Sequence, residues 1–221
     1  MLRVFLILLY VCAPILLLRV HRFWGVPAAI LSLWIPVEAG LFGRLGLNPF
    51  ATLALAAGTC LLAFRSRRDV FDIRASFDVF AIEWKWAAGN FLMFAAIAIP
   101  LGLAIDFIRP VFDLAEVRRV PFMLAAIFLL NALPEEILFR SLIQNWIEKR
   151  TGSRVGALAA ASVIFGASHL NNGPPVPNYR YLLIASIAGL FYGLAWRSRR
   201  NVLTSSITHT LVNTAWNLFF R

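Results

Sequence analysis

The sequence predicts an all-α fold, a polytopic membrane bundle of about eight transmembrane helices, on three observations. Hydrophobic residues make up 60% of the chain and charged residues 14%, whereas a soluble domain carries about 25% charge. The apolar residues come in long blocks rather than short amphipathic stripes. The basic residues behind the net charge of +10 gather at the ends of those blocks. Cytoplasmic loops of membrane proteins carry basic residues in this way, so the expected partner is a lipid bilayer and not nucleic acid.

About 20 apolar residues cross the hydrocarbon core as a helix. On that measure the spans fall near 3–19, 24–43, 48–64, 86–106, 121–147, 155–170, 181–197 and 202–220. The first, "MLRVFLILLYVCAPILLL", has the basic start of a signal peptide. No small-residue cleavage site follows it, and Arg19 and Arg22 act as a stop, so it reads as a span. The second is interrupted by Pro36 and Glu38, and the sixth is short. Between the third and fourth, Val70, Phe71, Ile73 and Phe77 form a loose helical stripe, expected along the interface beside Trp84 and Trp86. Cys12 and Cys60 lie inside apolar blocks without metal-ligand spacing and read as small hydrophobes. No repeat or linker divides the chain. We expect one integral membrane domain, 1–221, with N-terminal spans over 1–120 and the motif-bearing spans over 121–221.

Orientation follows from the basic residues. Loops after the first, third, fifth and seventh spans hold thirteen Lys and Arg, and the other side, termini included, holds seven. Both termini are therefore expected outside the cytoplasm.

Charged side chains near a helix centre cost about 2.5–3.5 kcal/mol each on insertion scales, so those present point to function. "NALPEEILFR" places Glu135, Glu136 and Arg140 in the fifth span. Glu136 and Arg140, at i and i+4, share a face and can pair. Glu135 is turned about 100° from its neighbour and can face a different cavity, available to react. Pro134 lacks an amide proton, which predicts a helix break just before the pair. "FGASHL" brings His169 to the end of the sixth span, and "THTLVNTAWN" sets His209, Asn213 and Asn217 on one face of the eighth. Glu38 is the remaining intramembrane carboxylate, and His21 sits in a basic loop.

A carboxylate, two imidazoles, an amide and a guanidinium in one membrane cavity suit hydrolysis. The carboxylate, helped by histidine, can take a proton from water. Amide or imidazole donors can hold the oxyanion of a tetrahedral intermediate. Ser168 adjoins His169, but successive side chains on a helix diverge by about 100°, so no serine nucleophile is expected.

Three motifs in order on late hydrophobic spans resemble those of the CPBP family of intramembrane endopeptidases, which includes the CAAX prenyl proteases and bacteriocin-processing relatives. EExxxR matches Glu135–Arg140, FxxxH matches Phe165–His169, and HxxxN matches His209–Asn213. The resemblance covers residues 120–217. It implies that Glu135 activates water with His169, that His209 and Asn213 stabilise the oxyanion, and that Glu136 and Arg140 order the site. Glu135, His169 and His209 also make a plausible zinc set. However, HExxH is absent and a catalytic zinc would need a separate base, so a metal-free glutamic endopeptidase is favoured. The resemblance further implies a membrane-anchored protein or peptide as substrate. Under the topology above the site tilts to the outer face, as in relatives that cut near C-terminal anchors of exported proteins. A bacterial inner-membrane location is expected. The alternative is a non-proteolytic protein, an immunity-type binder or a proton-coupled transporter. A transporter should repeat the polar break in its first half, and only Glu38 after "IPV" faintly does.

Overall fold

Helix follows apolar block almost residue for residue in a computed structural model that describes residues 1–20, 24–65, 67, 70–71, 76–111 and 114–221. His21, Arg22 and Ile73, named above, and Arg68 and Arg74, two of the thirteen basic loop residues, lie outside the described residues. No strand occurs among those described. The chain forms two compact units, Met1–Ile73 and Arg74–Arg221.

In the first unit, α1 (Leu2–Val20) packs on α2 (Gly25–Glu38) and α4 (Pro49–Phe64), with the single turn α3 (Leu41–Arg44) between the latter two. The Tyr10 hydroxyl donates to the Leu33 carbonyl at 2.9 Å, and the Tyr10 ring meets Phe42 edge-on. Leu2, Phe5, Leu8, Leu9 and Leu16 of α1 are exposed. An apolar outer surface is the expected one when the solvent is hydrocarbon. Glu38 closes α2 by accepting the Trp34 indole N–H at 2.8 Å. Val70 and Phe71 are buried, not laid along an interface.

The second unit contains α5 (Trp84–Ala104), α6 (Val120–Thr151), α7 (Arg154–Ala167), α8 (Tyr179–Arg197) and α9 (Val202–Phe219). Leu2–Val20, Trp84–Ala104 and Val120–Thr151 are long and apolar enough to cross a membrane, and Gly25–Glu38, Pro49–Phe64 and Arg154–Ala167 are shorter apolar helices. Together they make this an integral membrane protein.

Pro134 does not break α6. The helix widens into π turns over Phe128–Ala132 and again over Ile137–Gln144, with one α turn, Leu133–Glu136, between them. Wide turns on both sides of Pro134, which has no N–H to donate, keep the helix continuous and re-aim the side chains around it. Gly152, with φ +71°, ends α6 in the left-handed conformation that an L side chain resists. Ser153 then caps α7 by accepting the Gly156 N–H at 3.0 Å.

Helices α7 and α8 approach closely through small residues. A methyl group on Gly189 would lie 3.0 Å from Ser162 Cα, and one on Gly166 would lie 2.6 Å from the Leu182 carbonyl oxygen. In lipid, where apolar surface gains nothing by leaving its solvent, such backbone contact is what holds helices together. Helix α9 meets α5 at the Thr208 hydroxyl, whose one proton is shared between the Thr204 carbonyl at 3.1 Å in its own helix and the Ala87 carbonyl of α5 at 3.3 Å. Beyond the ends of α5 and α9, Arg109 and Arg221 exchange backbone hydrogen bonds of 2.8 and 3.0 Å.

Candidate active site

The middle of α6, the end of α7 and the middle of α9 converge on one cavity of about 350 Å³ in the second unit. Glu135, His169, His209 and Asn213 all line it. Glu136 and Arg140 do not. They are fully buried behind it, paired through Arg140 Nε and Glu136 Oε2 at 3.0 Å. The helical offset between the two glutamates thus separates a cavity-facing carboxylate from a buried one.

The buried carboxylate bridges two elements. Its other oxygen, Oε1, lies 3.1 Å from Nδ1 of His209. An ionised carboxylate can only accept, so Nδ1 carries the proton and donates. The His209 ring is stacked on Tyr192, with centroids 4.4 Å apart. Arg140 is fully buried, and neither of its terminal nitrogens has a hydrogen-bond partner among the described residues. Its guanidinium lies over the face of Phe165, 5.1 Å from the centroid, where the ring quadrupole attracts a cation.

His169 is oriented from its own turn. Its Nδ1 is 2.8 Å from the Phe165 carbonyl oxygen. A carbonyl can only accept, so Nδ1 donates, and Nε2 is the basic nitrogen of the neutral ring. Ser168 Oγ stands 3.2 Å from the same Nδ1, closer than helical geometry led us to expect. Helix α7 ends at Ala167, and the next two residues lie in a turn outside the regular helix. The Ser168 hydroxyl donates to the same Phe165 carbonyl at 2.7 Å, and the nitrogen it faces already bears a proton. This contact cannot activate the serine.

Several contributors were not read from the sequence. Phe165, noticed only as a motif letter, packs against His169, His209, Tyr192 and Arg140. Tyr192 supports the His209 ring. Asn131 donates to Glu135 Oε1 at 2.7 Å and accepts from Asn213 Nδ2 at 2.7 Å. The signal for Asn131 was present, a polar residue four positions before Glu135 in an otherwise apolar run. Asn217, which the sequence did place on the face of His209 and Asn213, lines the cavity too, and its amide donates to the Asn213 backbone carbonyl at 2.7 Å.

Glu135, His169 and His209 share the cavity wall. Among the described residues, no three His, Cys, Asp or Glu side chains stand together as a metal ion would require. No step below passes through a metal.

A carboxylate, two imidazoles and an amide thus line one cavity of this helical membrane protein. Residues 118–215 match the family model described as Rce1-like, type II CAAX prenyl endopeptidase. The match spans under half of the chain, contains all three motifs, and supports a CPBP-family intramembrane protease, as the motifs implied. No curated protein and no solved structure matches the chain.

Proposed function

We propose that this chain hydrolyses a peptide bond in a membrane-anchored protein, using water activated by Glu135. The observation that carries the reading is the meeting of Glu135, His169, His209 and Asn213 on one cavity within the stretch that matches a protease family. Water held between Glu135 and Nε2 of His169 gives its proton to the carboxylate as its oxygen attacks the scissile carbonyl carbon. The carbonyl oxygen becomes the oxyanion and accepts from an Asn213 N–H and from His209. To donate through Nε2, His209 must be doubly protonated, and the Glu136 carboxylate on Nδ1 is its counter-charge. Collapse of the intermediate breaks the C–N bond, and the proton on Glu135 passes to the leaving amine.

A second cavity of about 350 Å³, almost wholly apolar, shares Phe94, Ile184, Val212 and Trp216 with the first. An apolar residue flanking the scissile bond suits it. Eight crossings, both termini outside the cytoplasm and a site open to the outer face of a bacterial inner membrane complete the proposal. The substrate is then a protein with a C-terminal anchor, and no metal takes part.

The experiment compares new protein C-termini, by mass spectrometry, in membranes of cells producing the wild type or Glu135→Gln. Termini present only with the wild type are expected, together with unchanged cleavage after chelation. Identical termini, with the variant stably inserted, would sink the protease reading and leave a binder or a transporter.

A further inference from the structure

We infer that Asn131 is a positioning residue that fixes both the Glu135 carboxylate and the donor end of the Asn213 amide. This rests on the hydrolytic reading above. Asn131 sits in the first π segment of α6, four residues before Glu135, and lines the same cavity. Its two polar atoms are both engaged. Nδ2 donates to Glu135 Oε1 at 2.7 Å, and Oδ1 accepts from Asn213 Nδ2 at 2.7 Å, across 82 residues of sequence.

The direction of this chain of bonds follows from charge. An ionised Glu135 can only accept, so Asn131 must turn its nitrogen toward it. The Asn131 oxygen then faces Asn213, and only the nitrogen end of the Asn213 amide can meet it. The two ends of an amide are nearly identical in shape, so its partners decide which end is the donor. Asn213 spends one N–H on Asn131 and keeps a second N–H on the same nitrogen for an oxyanion. Without Asn131 the amide can turn over and present its oxygen, which repels that charge. The arrangement lasts through the reaction, because a carboxyl that has taken up the water proton still accepts from Asn131. Asn131 thereby joins the first motif to the third and ties the base to the oxyanion donor.

The test uses the full-length chain in lipid nanodiscs. Protein labelled with ¹³C at glutamate carboxyls is compared by infrared spectroscopy as wild type, Asn131→Ala, Asn131→Asp and Asn131→Gln, with the Glu135 band isolated by difference from Glu135→Gln. Asn131→Ala should move the band, and Asn131→Gln, which keeps an amide, should restore its position. On a quenched peptide spanning a Glu135-dependent cleavage site, Asn131→Ala should lower kcat by about 10- to 100-fold, the scale expected for misplaced catalytic groups. KM should change little. Asn131→Asp has the same shape without the N–H and should lose activity likewise, which separates positioning from packing. Asn131→Ala combined with Asn213→Ala should lose less than the product of the two single losses, because the Asn213 share of the Asn131 effect is already gone while the Glu135 share remains. A band that Asn131→Ala leaves in place, or losses that multiply in the double variant, overturns the inference. Cleavage that survives Glu135→Gln overturns the hydrolytic reading instead, and the infrared band still reports on the Asn131–Glu135 bond.

Discussion

His209 Nδ1 lies 3.1 Å from one oxygen of Glu136, and Arg140 Nε lies 3.0 Å from the other. A single buried carboxylate therefore holds a cavity residue from α9 and a cation from α6. Removing one member leaves uncompensated charge in a low-dielectric interior, which typically costs about 3–5 kcal/mol. We expect Arg140→Met to lower thermal stability in detergent by that order. The double change Glu136→Met with Arg140→Met should recover part of the stability and none of the cleavage. Equal melting of the two variants would show that the pair is not coupled.

The adjacent glutamates should separate in their effects. Glu135 faces the cavity, so Glu135→Gln should lower cleavage by about 10²- to 10⁴-fold, the usual contribution of a general base, with melting nearly unchanged. Glu136→Gln should reduce both, because Arg140 and His209 lose their counter-charge together. The comparison needs only melting curves and initial rates. Two variants with the same profile would count against the division of roles.

Ser168 provides a contrast with His169. Its hydroxyl proton goes to the Phe165 carbonyl, and the His169 nitrogen beside it is a donor. Ser168→Ala should retain cleavage within about threefold, whereas His169→Ala should lose about 10²-fold or more. A serine-directed covalent inhibitor should leave the wild type active. Labelling at Ser168 with loss of activity would reverse the assignment.

The α7–α8 contact should be intolerant of bulk. Gly189→Val places its Cβ 3.0 Å from Ser162 Cα, against backbone that cannot rotate away. Overpacking of this kind costs about 1–3 kcal/mol and shifts helices. Because α7 carries Phe165 and leads into His169, cleavage should fall along with the yield of folded protein. Gly58, whose Cβ would meet nothing within 4 Å, is the control, and Gly58→Ala should change neither.

Much of this architecture was legible in the chain because the bilayer is a strict solvent. Apolar blocks had to be helices, and each of the eight expected stretches coincides with helix among the described residues. The polar residues that interrupt the late blocks were conspicuous for the same reason. The Pro134 break was misread because proline removes one hydrogen bond but does not say whether neighbouring turns will widen to absorb the loss. Asn131 was overlooked because an amide carries no charge to draw attention in a run of apolar side chains, although its i, i+4 relation to Glu135 was there to be read.

The sequence by itself determined the helices, their apolar exteriors, the division of Glu135 from Glu136 by 100° of helical rotation, and the three motifs with the family they resemble. Those properties depend on local periodicity and on transfer of side chains from water to lipid, both written in neighbouring residues. Only the tertiary structure decided that His209 meets Glu136, that Asn131 links Glu135 to Asn213, and that Phe165 lies beneath the cation of Arg140. These contacts join α6, α7 and α9 across 25 to 82 positions. They depend on how helices dock and where π turns re-aim a side chain, and a period of 3.6 residues carries no record of either.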